Sequence, residues 1–293
     1  MPSLDDLRKR ISSVKSTQKI TKAMKMVAAA KLRKAQEMAE KGRPYSDKMN
    51  TIIQNLSKAI NDPSNAPKLL IGTGEDKNHL CVVMTADRGL CGGFNTNIVK
   101  FAKKYFNKIL KENKNLKIIT VGTKGLDQLK RDYGKYIIKK INFKDKKKLS
   151  FEDADAIGNE IVKLFNNNEF DKCIIFFNKF KNVMTQTPQA QQVIPATNAE
   201  KLDEEKEKDT SYEFEPEEDE ILEDLLPKNI STQIYKGFLE NSASEQGSRM
   251  TAMDNATRNA GDLVEKLTIN YNRSRQAAIT KELIEIISGA ESL

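Results

Sequence analysis

Apolar residues recur every three or four positions at both ends of the chain and gather into short continuous runs between them. The two rhythms predict different kinds of structure. Near the N-terminus Leu4, Leu7, Ile11 and Val14 keep a 3-4-3 spacing, and the seam resumes at Ile20, Met24, Val27 and Leu32. Ser3 followed by Asp5 and Asp6 supplies a start signal, with acids at the positive end of the helix dipole. No proline intervenes between Pro2 and Pro44. Pro44 is expected to kink the helix near Gly42, and Asn61-Asp62-Pro63 to end it.

The C-terminal end mirrors this. Met253, Ala256, Ala260, Leu263, Leu267, Asn270, Ser274, Ala277, Lys281 and Ile284 alternate in steps of three and four. That is a heptad seam, rich in small and polar residues, and it supercoils against a helix of comparable length. The N-terminal helix is the candidate partner. A helix over the C-terminal segment would span roughly 100 Å at 1.5 Å per residue, so a projecting rod is expected.

Between the ends, apolar runs at Leu80–Met84, Ile118–Val121, Tyr136–Ile141 and Cys173–Phe177 alternate with helical stretches near 96–113, 124–132 and 152–167. Continuous apolar strands separated by helices indicate a mostly parallel sheet covered on both faces. Thr185–Ile194 alternates weakly and reads as an edge strand. The expected fold is therefore α/β plus a long coiled coil. An antiparallel helical pair, 1–62 with 226–293, flanks an inserted Rossmann-like α/β domain over 68–225. The acidic stretch 199–224 is expected to be an exposed loop or a short strand around Tyr212–Phe214.

Charge adds a partner to this picture. The chain has 293 residues and a net charge of +8, yet Leu7 to Gln36 holds ten basic residues and no acid. Such a helix suits nucleic acid, anionic lipid or an acidic protein surface. Nucleic acid is disfavoured, because no aromatic for stacking precedes Tyr45 and the chain has no Trp. No run approaches the roughly twenty apolar residues of a membrane span, so direct membrane insertion is not expected. Cys81, Cys91 and Cys173 are far apart and His79 is the single histidine. This spacing offers neither a typical zinc site nor a disulfide framework.

One stretch raises the question of a nucleotide: TADRGLCGGFN at 85–95 follows a strand and precedes a helix. It lacks the Lys and hydroxyl of a GxxxxGK[ST] loop, and its GxxGG spacing fails the dinucleotide fingerprint. A tight strand-to-helix turn with Asn95 as N-cap is the reading adopted, and no cofactor is expected. A free-standing Rossmann-type enzyme would need an intact phosphate motif and titratable residues at strand ends, and neither is visible.

RISSVKSTQKITKAMKMVAAAKLRKAQ, TADRGLCGGFN, NSASEQGSRMTAMDNATRNA and RQAAITKELIEIISGA together resemble the γ subunit of F-type ATP synthases, the last fitting ITxExxEIxxGA at Ile279–Ala290. The resemblance covers essentially the whole chain. It implies a central rotor shaft without a catalytic site of its own, turning inside a ring of α and β subunits. Its foot would stand with the ε subunit on the membrane c-ring. It further implies that Lys22, Met24, Lys25, Arg249, Arg275, Gln276, Thr280 and Glu282 contact β and couple rotation to catalysis. Tyr212, Glu213 and Glu215 would fall at the foot, against ε and the c-ring. The N-terminus carries no Arg/Ser-rich transit segment. That favours a peripheral protein on the cytoplasmic face of a bacterial inner membrane.

Overall fold

The computed structural model describes residues 3–59, 67–146, 149–196 and 218–291. Its elements are α1 (Leu4–Ala59), α2 (Lys68–Ile71), β1 (Asn78–Met84), α3 (Phe94–Lys111), β2 (Asn115–Val121), α4 (Thr123–Tyr133), β3 (Ile137–Ile141), α5 (Phe151–Asn166), β4 (Lys172–Phe180), β5 (Gln186–Ile194) and α6 (Glu218–Glu291). The chain divides into two compact units, Lys31–Ser248 and Met1–Ala30 with Arg249–Leu293.

The larger unit is built on a five-stranded sheet in the order β3-β2-β1-β4-β5. Neighbouring strands run parallel except β5, which pairs antiparallel with β4 as the expected edge strand. Side chains alternate across each strand. Leu80, Val82 and Met84 face a core completed by Ile157 and Ile161 of α5 and by Ile230, Ile234 and Phe238 of α6. Cys81 and Val83 face the opposite core, with Ile98, Ala102 and Phe106 of α3 and Leu129 of α4. Because both faces of β1 are covered, its run of apolar residues is continuous. A third cluster packs Met49, Ile53 and Leu56 of α1 on Leu70 of α2 and on Leu222 and Leu226 of α6.

Several expectations shift. Asn95 is not an N-cap: Gly93 holds that position, and Asn95 lies buried in the first turn of α3. Pro44 lies inside α1, which continues through it. The C-terminal helix starts at Glu218 rather than 226 and carries Pro227 inside it, so Glu218–Asp224 is helical and not loop. Fully buried Leu222 is what anchors that first part of α6. The rest of the acidic stretch, with Tyr212, Glu213 and Glu215, lies outside the described residues.

In the smaller unit α1 and α6 run antiparallel. The Thr257 hydroxyl donates to that of Thr21 at 2.8 Å, and the Lys25 ammonium donates to Asp254 at 2.5 Å. Lys25 holds the Asp254 carboxyl below its ordinary range. α1 opens on a reciprocal cap, with Asp6 N–H donating to the Ser3 hydroxyl and Ser3 N–H donating to the Asp6 carboxylate. Its inward residues are Leu4, Leu7, Ile11, Val14, Gln18, Thr21, Lys25 and Ala28, one unbroken 3-4 repeat. The apolar seam expected at Ile20 and Val27 is therefore wrong: they are 57% and 56% exposed. On α6 the inward set is Met253, Thr257, Ala260, Val264, Leu267, Tyr271 and Ser274, so Leu263 and Asn270 are replaced by their neighbours. Both errors have one cause. The seam is partly polar, satisfied by hydrogen bonds across the pair, so counting apolar residues loses its phase. Ala277, Lys281 and Ile284 continue no seam; they are exposed.

The amino ends of the strands are stitched by carboxylates. Asp171 accepts from the backbone N–H groups of Lys77 and Asn78 at 3.0 and 2.8 Å. Asp76 meets Lys114 at 2.7 Å and Lys172 at 2.8 Å. Burial pushes the Asp76 carboxyl up, but the two ammonium groups outweigh it and hold the pKa at about 2. A carboxyl lowered in this way stabilises the fold above its ordinary pKa, and that stabilisation disappears as pH falls through about 2. Asp76→Asn is therefore expected to lower the melting temperature near neutral pH. The gap between variant and parent closes as thermal scans approach about pH 2.

Candidate functional site

In a doubly wound sheet, ligands enter at the carboxyl ends of the strands, where the strand order reverses. Here that point lies between β1 and β4, and α6 occupies it. The Asn241 amide donates to the Met84 carbonyl at 3.0 Å and accepts from the Asn178 N–H at 3.0 Å. Ser244 donates to the Asn178 carbonyl at 3.0 Å, and Ser248 to the Cys91 carbonyl at 2.6 Å. Glu240, 1% exposed, accepts from the Phe180 N–H at 2.8 Å and from Nε and Nη2 of Arg43 at 2.5 and 3.1 Å.

The Gly-rich loop is spent on the same region. Asp87 accepts from Thr123 N–H and hydroxyl through one oxygen and from Phe143 N–H through the other. It thereby ties the loop to the ends of β2 and β3. Asn95 accepts from Ala86 N–H at 2.9 Å and donates to the Cys91 sulfur at 3.3 Å. Gly92 turns the chain at φ 55°. Beside the loop, Thr85 accepts from Gly125 N–H and donates to the Val121 carbonyl. Its backbone passes so close to Gly122 that a Cβ there would lie 2.2 Å from the Thr85 carbonyl oxygen, at a φ of 94°. All three cysteines are buried, and burial pushes the Cys81 and Cys173 thiols up. Among the described residues no His, Cys, Asp and Glu cluster is placed to hold a metal, and no helix is long and apolar enough to cross a membrane.

The residues singled out for contact with β lie on the smaller unit. Lys22 is exposed, Met24 is half-buried, and Lys25 is engaged by Asp254. Arg249 is half-buried at the start of the α6 portion. Arg275, Gln276, Thr280 and Glu282 are exposed on the last turns of α6, where the Thr280 hydroxyl donates back to the Gln276 carbonyl. From Arg275 to Ala290 every residue is exposed. That stretch includes Ile279, Leu283, Ile284, Ile286 and Ile287, at 49% to 67% exposure. With Ile20, Met26 and Val27 of α1 they form apolar surface that the heptad reading assigned to the seam or passed over. Apolar residues standing off the seam's phase were the signal available in the sequence.

A sheet whose ligand crevice is filled by its own helix, joined to a helical pair with bare apolar surface, defines a chain that works by docking to others. The family model described as ATP synthase matches residues 3–293. The ATP synthase gamma chain of Pelagibacter ubique is 71% identical over the whole of both chains. The fold recurs in the central stalk/c-ring structure of Tetrahymena thermophila mitochondrial ATP synthase. There the TM-score is 0.61 at 27% identity, over 81% of this chain and 99% of that one. It recurs again in Euglena gracilis mitochondrial ATP synthase at TM-score 0.69 and 22% identity, over 99% and 94%. The chain belongs to the ATP synthase gamma chain family.

Replacing Gly122 tests the bracing of the loop. Gly122→Ala forces a Cβ into the Thr85 backbone and is expected to destabilise the larger unit by at least about 2 kcal/mol, read by urea unfolding.

Proposed function

We propose that this chain is the central rotating shaft of an F-type ATP synthase. It couples proton-driven rotation of the c-ring to conformational change, and to ATP synthesis or hydrolysis, at catalytic sites on the β subunits. It has no catalytic site of its own. The reading is supported by membership of the gamma chain family, and the end of α6 carries it. Sixteen consecutive exposed residues, Arg275 to Ala290, with five large aliphatics among them, form a surface that water alone does not suit. A surrounding ring of α and β subunits would cover it. Within that ring Arg275, Gln276, Thr280 and Glu282, together with Lys22, Met24, Lys25 and Arg249, meet β. Contacts that differ between β conformations bias their equilibrium, which is how a turning shaft drives catalysis.

In this reading the inserted domain is the foot on the ε subunit and the c-ring, with Tyr212, Glu213 and Glu215 at that contact. The complex sits peripherally on the cytoplasmic face of a bacterial inner membrane. The likeness to the gamma chain of Pelagibacter ubique supports this placement.

The test is reconstitution with α and β subunits. Leu283→Ser/Ile287→Ser is expected to leave the stability of the isolated chain within about 0.5 kcal/mol, because both side chains are exposed. ATP hydrolysis by the assembled complex should fall several-fold; unchanged hydrolysis sinks the reading. Two charge reversals separate contact from folding. Lys25→Glu places like charge on Asp254 and lowers the chain's own melting temperature. Lys22→Glu leaves that temperature unchanged and weakens only the assembled complex.

A further inference from the structure

Glu240, Asn241, Ser244 and Ser248 form one polar stripe along two turns of α6, set among otherwise buried surface. We propose that this stripe is a torque clasp. Its members are positioning residues that stop α6 from turning or sliding against the sheet, so that rotation applied to the α/β unit passes into the helix. The proposal rests on the shaft reading above.

Apolar packing is non-directional and resists separation more than rotation. Hydrogen bonds weaken steeply as their angles change. Every bond in the stripe that reaches the sheet or its loop ends on a backbone group, which has no rotamer with which to follow a moving helix. Those backbone groups come from three separated segments: Met84 of β1, Asn178 and Phe180 of β4, and Cys91 of the Gly-rich loop. A turn of α6 about its axis breaks all of them, and so does a slide along it. Arg43 extends the clasp to α1, since its guanidinium donates both to Glu240 and, at 2.9 Å, to the Phe180 carbonyl. One buried carboxylate thus joins α1, α6 and β4. By contrast, the bonds across the seam of the smaller unit, Thr257 to Thr21 and Lys25 to Asp254, run from side chain to side chain, and both ends can follow a moving helix.

The experiment uses the chain assembled with α and β subunits held on a surface, and a bead on the exposed Lys108 position of α3 through Lys108→Cys. The three natural cysteines are buried and leave the label to that site. ATP-driven rotation and the width of angular fluctuation during pauses are read for the parent, Ser244→Ala/Ser248→Ala and Asn241→Ala. The serine pair removes two hydroxyls with almost no change of volume, so it answers the question even where Asn241→Ala fails to fold. The clasp predicts unchanged ATP turnover and an angular variance widened about twofold, because bonds that fix the helix are lost. A lower melting temperature with unaltered variance shows a purely structural role and overturns the clasp alone. A parent complex that hydrolyses ATP without turning the bead overturns the shaft reading and the clasp with it.

Discussion

The backbone groups at the carboxyl ends of β1 and β4 must be paired, and α6 pairs them. Strand ends in a doubly wound sheet usually open onto a crevice where water or ligand satisfies the last carbonyls and N–H groups. Here Asn241, Ser244 and Glu240 supply those partners from within the chain. The placement of the Gly-rich loop follows, because the Cys91 carbonyl is held by Ser248 of the same helix. The depth of Arg43 follows too. Once Glu240 is buried, a guanidinium must accompany it, since an isolated buried carboxylate is costly.

This pairing also reconciles a nucleotide-binding architecture with a chain that binds other proteins. The sheet order and the glycine turn are those of a ligand-binding scaffold, yet the side chains around them are committed to one another. Asp87 is spent on Thr123 and Phe143, and Asn95 on Ala86. Large aliphatic side chains stay bare on α6, at Ile279, Leu283, Ile284, Ile286 and Ile287.

The inner strands β1, β2 and β4 were legible because their apolar runs are buried on both faces, which leaves few polar positions to blur them. Helices flanking such runs were legible from their spacing alone. The seam of the smaller unit was less so. Gln18, Thr21 and Lys25 face inward, and Thr21 and Lys25 are paired by Thr257 and Asp254, more than two hundred residues away. No local window contains that information. Ile20 and Val27 drew the sequence reading towards themselves for the same reason, since apolarity on a helix surface does not say whether the cover is intramolecular. The early start of α6 was missed because the acidic stretch before it read as an exposed loop. Burial of Leu222 and Leu226 against α1 and α2 outweighs that charge.

The bare isoleucines at the end of α6 have a consequence for the cell as well as for the machine. A copy made in excess of its partners displays a long helical stretch of uncovered aliphatic side chains, the kind of surface that chaperones and proteases engage.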